Sequence, residues 1–195
     1  MVSKNFVEFQ GINKKKIIIS SLIAFAVIVL LTKNKIKKVA NKILSDEDKK
    51  KFILSILPAS QSIGNKIGVP PMFIVAQICL ESNFGASLLS SKYFNYGGIK
   101  ATGTQRSVNL PTTECKGNQC FKTNANFAVF NDQAEGIAAQ SKIYTNKYFK
   151  GYLNKTQDPI KYAQLLQSGS VKYATALNYP QAIANTLKKV NSLLT

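Results

Sequence analysis

The sequence contains no histidine, and this absence excludes whole classes of catalytic site. Without imidazole, the chain cannot build a Ser-His-Asp or Cys-His nucleophile system, nor a histidine-ligated metal site. Three cysteines disfavour a thiolate zinc site as well. We therefore expect no metal and no cofactor, and carboxylates become the main candidates for catalysis.

Arginine is almost as scarce, since Arg106 is the only one among 26 basic residues. Sequence-specific nucleic-acid proteins rely on arginine to bind bases and phosphates with two parallel hydrogen bonds, so no specific nucleic-acid partner is expected. The formal net charge of +17 comes almost wholly from lysine. It suits a diffuse polyanion, such as anionic lipid, a cell-wall polymer or nucleic acid bound without sequence preference, and it equally suits solubility alone.

Acidic residues number only nine, so every candidate acid can be examined. A length of 195 residues and a hydrophobic content of 45% allow one ordinary domain with a core, plus an appendage. In sequence order, the first four acids lie before residue 49, where the expected domain begins. The nine are Glu8, Asp46, Glu47, Asp48, Glu81, Glu114, Asp132, Glu135 and Asp158.

The run "IIISSLIAFAVIVLLT", residues 17–32, is uncharged, strongly apolar and flanked by lysines on both sides. Its length of about 16 residues is somewhat short of the usual ~20, although flanking lysines can extend a membrane span by snorkelling. We interpret it as an uncleaved transmembrane anchor. A cleavable signal and a buried core helix are the competing interpretations. Because both flanks are rich in lysine, charge does not set the orientation of the span.

The anchor divides the chain into a basic tail (1–16), the transmembrane helix (17–32), a lysine-rich linker (33–48) and a domain (49–195). Helical spacing and capping residues predict that this domain is mainly α-helical. Ser45, followed by acidic residues, is a predicted N-cap. The predicted helices cover 49–67, with a kink or break at Pro58, then 70–83, two segments capped by Asp132 and Asp158, and 179–194. Alternating segments 107–115 and 120–130, around the turn 116–119, predict a β-hairpin, which gives an α+β fold with a small β-lobe.

The three cysteines have different predicted roles. Cys115 and Cys120 bracket the hairpin turn, so they are candidates for a disulfide in an oxidising compartment, although close cysteines in such turns are also found reduced. Cys79 lies in an apolar helical segment, which favours an inert core thiol.

Glu81 is the acid whose position raises the clearest question. It shares a helix face with Gln77, four residues earlier, and lies near the helix C-terminus among apolar neighbours. The negative end of the helix dipole and the apolar surroundings both disfavour the ionised form, so the pKa should rise toward the range of a general acid. A surface glutamate paired with a lysine is the alternative interpretation.

Several separated segments resemble those of one known family. They are "VPPMFIVAQICLESNFGASLL", "NYGGIKA", "TTEC", "FAVF" and "YATALNYPQAI". Their order and spacing resemble glycoside hydrolase family 73, which comprises peptidoglycan-cleaving β-N-acetylglucosaminidases of the lysozyme superfamily. The resemblance covers about residues 50–193 and implies a lysozyme-like helical lobe with a β-hairpin lobe.

The resemblance also implies roles for individual residues. Glu81 matches the general acid of the family, and Glu114 matches the second carboxylate on the hairpin. The implied substrate-binding residues of the cleft are Gln77, Asn95, Tyr96, Lys100, Tyr173 and Tyr179. Four positions depart from the family pattern, namely Phe84, Gly97, Ala128 and Ala176.

The expected function is therefore cleavage of β-1,4 bonds in the peptidoglycan glycan strand, as an endo-β-N-acetylglucosaminidase. A muramidase or a lytic transglycosylase acting on the same strand is the alternative, and a noncatalytic cell-wall-binding membrane protein is an alternative from another class. The anchor would place the domain facing a cell wall or periplasm, or in the membrane of a lipid-containing virion. The sequence leaves the oligomeric state open.

Overall fold

The computed structural model describes residues 44–116, 119–174 and 178–195. Within these ranges the chain forms six α-helices, two short 3₁₀ turns (Lys142–Thr145 and Lys150–Tyr152) and a two-stranded antiparallel sheet. The mainly helical class with one hairpin is confirmed. The helices are α1 (Asp46–Ile67), α2 (Pro71–Ser82), α3 (Leu88–Tyr93), α4 (Gln133–Ser141), α5 (Pro159–Ser168) and α6 (Tyr179–Leu194), and the strands are β1 (Ser107–Lys116) and β2 (Gln119–Ala128).

The predicted transmembrane anchor, residues 17–32, lies outside the described residues, as do the basic tail and most of the linker. In the part of the chain that the structure describes, none of the helices has the length and apolar character needed to span a membrane.

Local capping signals set the starts of three helices, as predicted. The Ser45 hydroxyl accepts a hydrogen bond from the Asp48 N–H at 3.0 Å, and the Asp48 carboxylate accepts one in return from the Ser45 backbone. This reciprocal capping box begins α1. The carboxylates of Asp132 and Asp158 likewise accept first-turn N–H groups of α4 and α5, which satisfies donors that have no partner within the helix.

The prediction at Pro58 was a kink or a break, and the break is wrong because helix α1 runs through Pro58 without interruption. Proline removes one amide donor and disturbs the carbonyl four residues earlier, here that of Leu54. Both residues lie on the exposed side of the helix, and Leu54 is 48% exposed. Water can therefore solvate the carbonyl, while the opposite face of α1 remains buried through Ile53 and Ile56.

Helix α2 is the central element of the helical lobe. Every residue from Phe73 to Cys79 is buried, and the helix packs against α1, α5 and α6. An apolar surface on all sides is typical of a helix surrounded by other elements. Because α2 is enclosed in this way, the side chains at its C-terminal end have fixed directions.

The C-terminal end of α2 is sharply defined. Asn83, Phe84 and Gly85 have φ values of 52°, 52° and 79°, all in the left-handed region. The Asn83 N–H bonds to the carbonyl of Cys79, and the Ser82 hydroxyl accepts the Gly85 N–H at 2.8 Å. These contacts turn the chain away directly after Glu81 and Ser82.

The hairpin is tied to the helical lobe through the loop before it. Strand β1 pairs with β2 from Ser107, opposite Ala128, to Lys116, opposite Gln119. The Asn95 amide donates to the carbonyls of Ile99 and Ala128 at 2.8 and 2.9 Å and accepts the Ile99 N–H at 2.8 Å. Asn95 therefore holds the loop 95–100 against the base of β2.

Candidate active site

Glu81 is half-buried at the end of α2 and has neutral hydrogen-bond partners. The Tyr173 hydroxyl donates to its Oε1 at 3.0 Å, and Gln140 is a second partner. Desolvation raises the pKa of Glu81 to about 7, while these two hydrogen bonds act in the opposite direction and only partly offset it. The direction agrees with the prediction from the sequence, and the site favours a carboxyl group that holds its proton near neutrality.

Gln77 lies beneath Glu81 on the same face of α2 and is completely buried. Its Nε2 donates to the Tyr179 hydroxyl at 3.0 Å. Its Oε1 accepts hydrogen bonds from the Tyr144 hydroxyl and, at 3.2 Å, from Nε2 of Gln140. All of these partners come from elements distant in sequence, so Gln77 connects the floor of the site to the surrounding elements.

Three buried tyrosines enclose these polar groups. The rings of Tyr173 and Tyr179 are 5.5 Å apart, and the rings of Tyr144 and Tyr173 are 6.3 Å apart. Burial, reinforced by the nearby Glu81 carboxyl, raises the pKa of each phenol well above its ordinary value. The three hydroxyls therefore remain neutral hydrogen-bonding groups at any ordinary pH, and they add no charge next to Glu81.

Glu114 lies on β1 in a different electrostatic environment. Its carboxylate forms an ion pair with the Lys100 ammonium, with Glu114 exposed over 15% of its side chain and Lys100 over 37%. Lys100 itself pairs with Phe127 through an isolated bridge next to the sheet. The structure thus brings two predicted site residues, Lys100 and Glu114, into direct contact.

The remaining predicted site residues have mainly structural surroundings. Tyr96 is 2% exposed and packs against Phe52 at 6.1 Å between ring centroids, and burial raises its pKa to about 12. Its role in substrate binding stays a prediction, as does that of Asn95. The backbone register places Cys115 opposite Cys120, which is compatible with the predicted disulfide.

Cys79 is a free thiol in the core, as predicted. Burial raises its pKa to about 12, so the thiolate that would be reactive is suppressed at neutral pH. Among the described residues, no three histidine, cysteine or acidic side chains are grouped in a way that could hold a metal ion.

Gln140 and Tyr144 belong to the site, and the sequence reasoning missed both. Gln140 follows Ile137 by three residues and Gly136 by four, so it lies on the buried face of α4. A polar residue on an otherwise buried helical face was the available signal. Tyr144 carried no comparable signal, because its contact with Gln77 joins residues 67 positions apart.

Comparison with known proteins identifies one family model and several related cell-wall hydrolases. Residues 57–192 match the family model Glucosaminidase, described as mannosyl-glycoprotein endo-β-N-acetylglucosaminidase. The peptidoglycan hydrolase FlgJ of Escherichia coli K12 is 25% identical over 152 residues, which are 75% of this chain and 48% of FlgJ. A probable N-acetylmuramidase of Lactococcus lactis subsp. cremoris is 34% identical over 145 residues, or 72% of this chain and 33% of that protein. The chain thus spans less than half the length of these two relatives.

Solved structures show the same fold. The catalytic domain of the autolysin Auto from Listeria monocytogenes has a TM-score of 0.67 at 23% identity, covering 87% of this chain and 95% of that domain. A truncated glycoside hydrolase domain of FlgJ from Salmonella typhimurium has a TM-score of 0.61 at 23% identity, covering 74% and 98%. The described part of the chain therefore has the lysozyme-like fold predicted from the sequence.

Proposed function

Because the chain belongs to the endo-β-N-acetylglucosaminidase family of glycoside hydrolases, we propose that it cleaves β-1,4 glycosidic bonds of the peptidoglycan glycan strand. Glu81 is the general acid of this proposal. The relatives named peptidoglycan hydrolase support the substrate class.

The single observation that carries the proposal is the environment of Glu81. A general acid must hold a proton at the working pH and deliver it to the leaving oxygen, which requires a pKa near that pH. Desolvation raises the pKa of Glu81 to about 7. In the reaction, Glu81 protonates the glycosidic oxygen as an oxocarbenium-like transition state develops at the sugar.

Glu114 has two possible roles in the proposal, and they differ in what attacks the sugar. If its carboxylate activates a water molecule, the reaction inverts the anomeric configuration. If Glu114 lies too far away, the 2-acetamido group of the substrate attacks instead. The ion pair with Lys100 restrains the position of the Glu114 carboxylate on the hairpin. Tyr173 and Tyr179 would orient the acetamido group or stabilise the developing positive charge.

The choice of bond distinguishes the proposal from two related activities. A relative named probable N-acetylmuramidase favours muramidase action as the second candidate. To test this, purified peptidoglycan is digested with the full chain and the fragments are analysed by mass spectrometry. Glucosaminidase action leaves reducing N-acetylglucosamine ends, muramidase action leaves reducing N-acetylmuramic acid, and a lytic transglycosylase leaves 1,6-anhydro ends. We expect the first product, and either of the others would replace the proposed bond choice.

A noncatalytic wall-binding protein is the alternative from another class, since the net charge of +17 would attract anionic wall polymers. In a co-sedimentation assay, the chain would bind peptidoglycan whether it is an enzyme or a noncatalytic binding protein. Only the enzyme would release soluble fragments, and only the enzyme would lose that release in Glu81→Gln. Binding without any release from the unmodified chain would favour the noncatalytic function.

We also propose that residues 17–32 anchor the domain to a membrane, in a cell envelope or in a lipid-containing virion. The support is the uncharged apolar run between two lysine clusters. The full chain should resist carbonate extraction from membranes, and a chain beginning at Ser45 should be soluble. If both are extracted equally, the run is a cleaved signal or a core segment.

A further inference from the structure

We propose that Gln140 is a positioning residue for Glu81, and that Gly97 is required because its missing side chain leaves room for the Gln140 amide. The inference rests on the proposed function, since it assigns Gln140 to the same reaction. It concerns two residues on separate elements, one on α4 and one in the loop before the hairpin.

Gln140 is bonded to the tyrosine that holds the acid. It is 5% exposed, and its Nε2 donates to the Tyr173 hydroxyl at 3.4 Å and to Oε1 of Gln77 at 3.2 Å. Tyr173 in turn donates to Glu81 at 3.0 Å, and Gln140 itself lowers the pKa of Glu81. One amide therefore links the partner of the Glu81 carboxyl to the buried Gln77.

The Gln140 amide packs against the backbone of Gly97. A Cβ atom added at Gly97 would lie 1.7 Å from Oε1 of Gln140 and 2.6 Å from its Cδ. Both distances are far below van der Waals contact, so any larger residue would displace the amide. The backbone of Gly97 is not in the left-handed region, and the requirement for glycine is therefore one of space.

The amide acts on Glu81 without adding charge. Among the described residues, the titratable groups that interact with Glu81 are the phenols of Tyr144, Tyr173 and Tyr179, which stay neutral. Gln140 lowers the pKa of Glu81 against the larger effect of burial. Loss of the amide should therefore raise that pKa and release the carboxyl from its fixed direction.

The test compares the unmodified full chain with Gln140→Ala and Gly97→Ala. Both variants should lower kcat roughly ten- to hundred-fold with little change in KM, because misplacement of a catalytic group costs on this scale. In both, the alkaline limb of the pH–rate profile should move to higher pH. Gly151→Ala is the matched control, since its added Cβ meets no atom within 4 Å and its φ is not positive. It should leave kcat and the profile unchanged.

A double variant tests whether the two residues act together. Once Gln140 is shortened to Ala, the space next to residue 97 is empty, so Gly97→Ala should have no further effect on kcat. If Gly97→Ala keeps its full effect in that background, the two residues act separately and the inference is wrong. Far-UV circular dichroism confirms folding. Gln140→Met, which keeps the length but lacks the amide, replaces Gln140→Ala if the shorter variant unfolds.

A direct titration separates this inference from the proposed function. The ¹³C carboxyl resonance of Glu81 is identified as the signal missing from Glu81→Gln, and its pH midpoint is measured in each variant. A higher midpoint in Gln140→Ala and Gly97→Ala supports the inference even if no substrate is cleaved. An unchanged midpoint in both variants overturns it even if the chain is an active hydrolase.

Discussion

Glu81 and Glu114 lie in two regions of the molecule that surround a carboxyl group with different side chains. In the helical lobe, Glu81 is surrounded by phenols and amides, and desolvation raises its pKa to about 7. On the hairpin, Glu114 is paired with the ammonium of Lys100. Burial without a countercharge favours the neutral acid. The comparison supports the proposed proton-donating role of Glu81 and a supporting role for Glu114 beside Lys100.

The largest effect is expected from Glu81→Gln, which removes the transferable proton while preserving size and hydrogen bonding. Hydrolysis of peptidoglycan should fall by about 10²- to 10⁴-fold, the usual contribution of a general acid. Release of soluble fragments is the measurement. Glu47→Gln is the matched control, since Glu47 is an exposed residue paired with Lys51 on α1, and its activity should not change. Near-normal activity of Glu81→Gln would remove Glu81 from the mechanism.

Glu114→Gln should reduce the rate by a smaller factor than Glu81→Gln. If Glu114 activates water, its loss costs a general base, and if the acetamido group of the substrate attacks, the loss is modest. Lys100→Met separates charge from position, because it leaves Glu114 in place without its cation. Rates for the two variants are compared on one batch of substrate. Full activity of Glu114→Gln would mean that this carboxylate only shapes the hairpin.

Reduction of the predicted Cys115–Cys120 disulfide should lower activity by a smaller factor than Glu114→Gln. The backbone register places Cys115 opposite Cys120, and Cys115 follows Glu114 directly. A bridge would restrain the strand that carries Glu114, so its loss should loosen the hairpin and leave the helical lobe folded. Activity, far-UV circular dichroism and a thiol count are measured together. If the chain is made under oxidising conditions and then denatured, a count of three free thiols would exclude the bridge.

The smallest expected effect concerns stability and follows from the raised pKa of Glu81. Below pH 4.5 the group is neutral in the folded and unfolded states, and it costs nothing. As the pH rises from 4.5 to about 7, the unfolded chain releases the proton that the folded chain retains, so the free energy of unfolding falls and then levels off. Glu81→Gln avoids this loss.

Denaturant unfolding at pH 4 and pH 8 checks that expectation. Relative to the unmodified chain, Glu81→Gln should gain on the order of 1–3 kcal/mol between the two pH values, at about 1.4 kcal/mol per pKa unit and with allowance for partial solvent access. A gain that is equal at both pH values would show that the substitution acts through packing and not through ionisation.

Local sequence signals predicted most of the fold. The caps at Ser45, Asp132 and Asp158 are satisfied within a few residues, so they can be recognised without the rest of the molecule. The break expected at Pro58 did not form, because burial of the opposite face of α1 outweighs one missing hydrogen bond. Helix α3 was missed, because a six-residue helix with two serines has little helical pattern of its own.

The candidate site was only partly predictable, for a related reason. Glu81 and Gln77 share one helix, and their common face follows from a spacing of four residues. Gln140 reaches Gln77 across 63 positions, and Lys100 reaches Glu114 across 14. Such contacts depend on how elements pack, which a single sequence does not specify. The resemblance to a family predicted Glu114. It did not predict that the Gln140 amide occupies the space next to Gly97.

The pH dependence of kcat/KM for peptidoglycan fragments tests the central claim most directly, because it reports the ionisation of the essential acid in the free enzyme. The account predicts an alkaline limb with a midpoint near pH 7, set by deprotonation of Glu81, at which the rate begins to fall about tenfold per pH unit. A rate that stays constant to pH 9, or a limb near pH 4.5, would contradict the claim that a buried, proton-bearing Glu81 carries the chemistry.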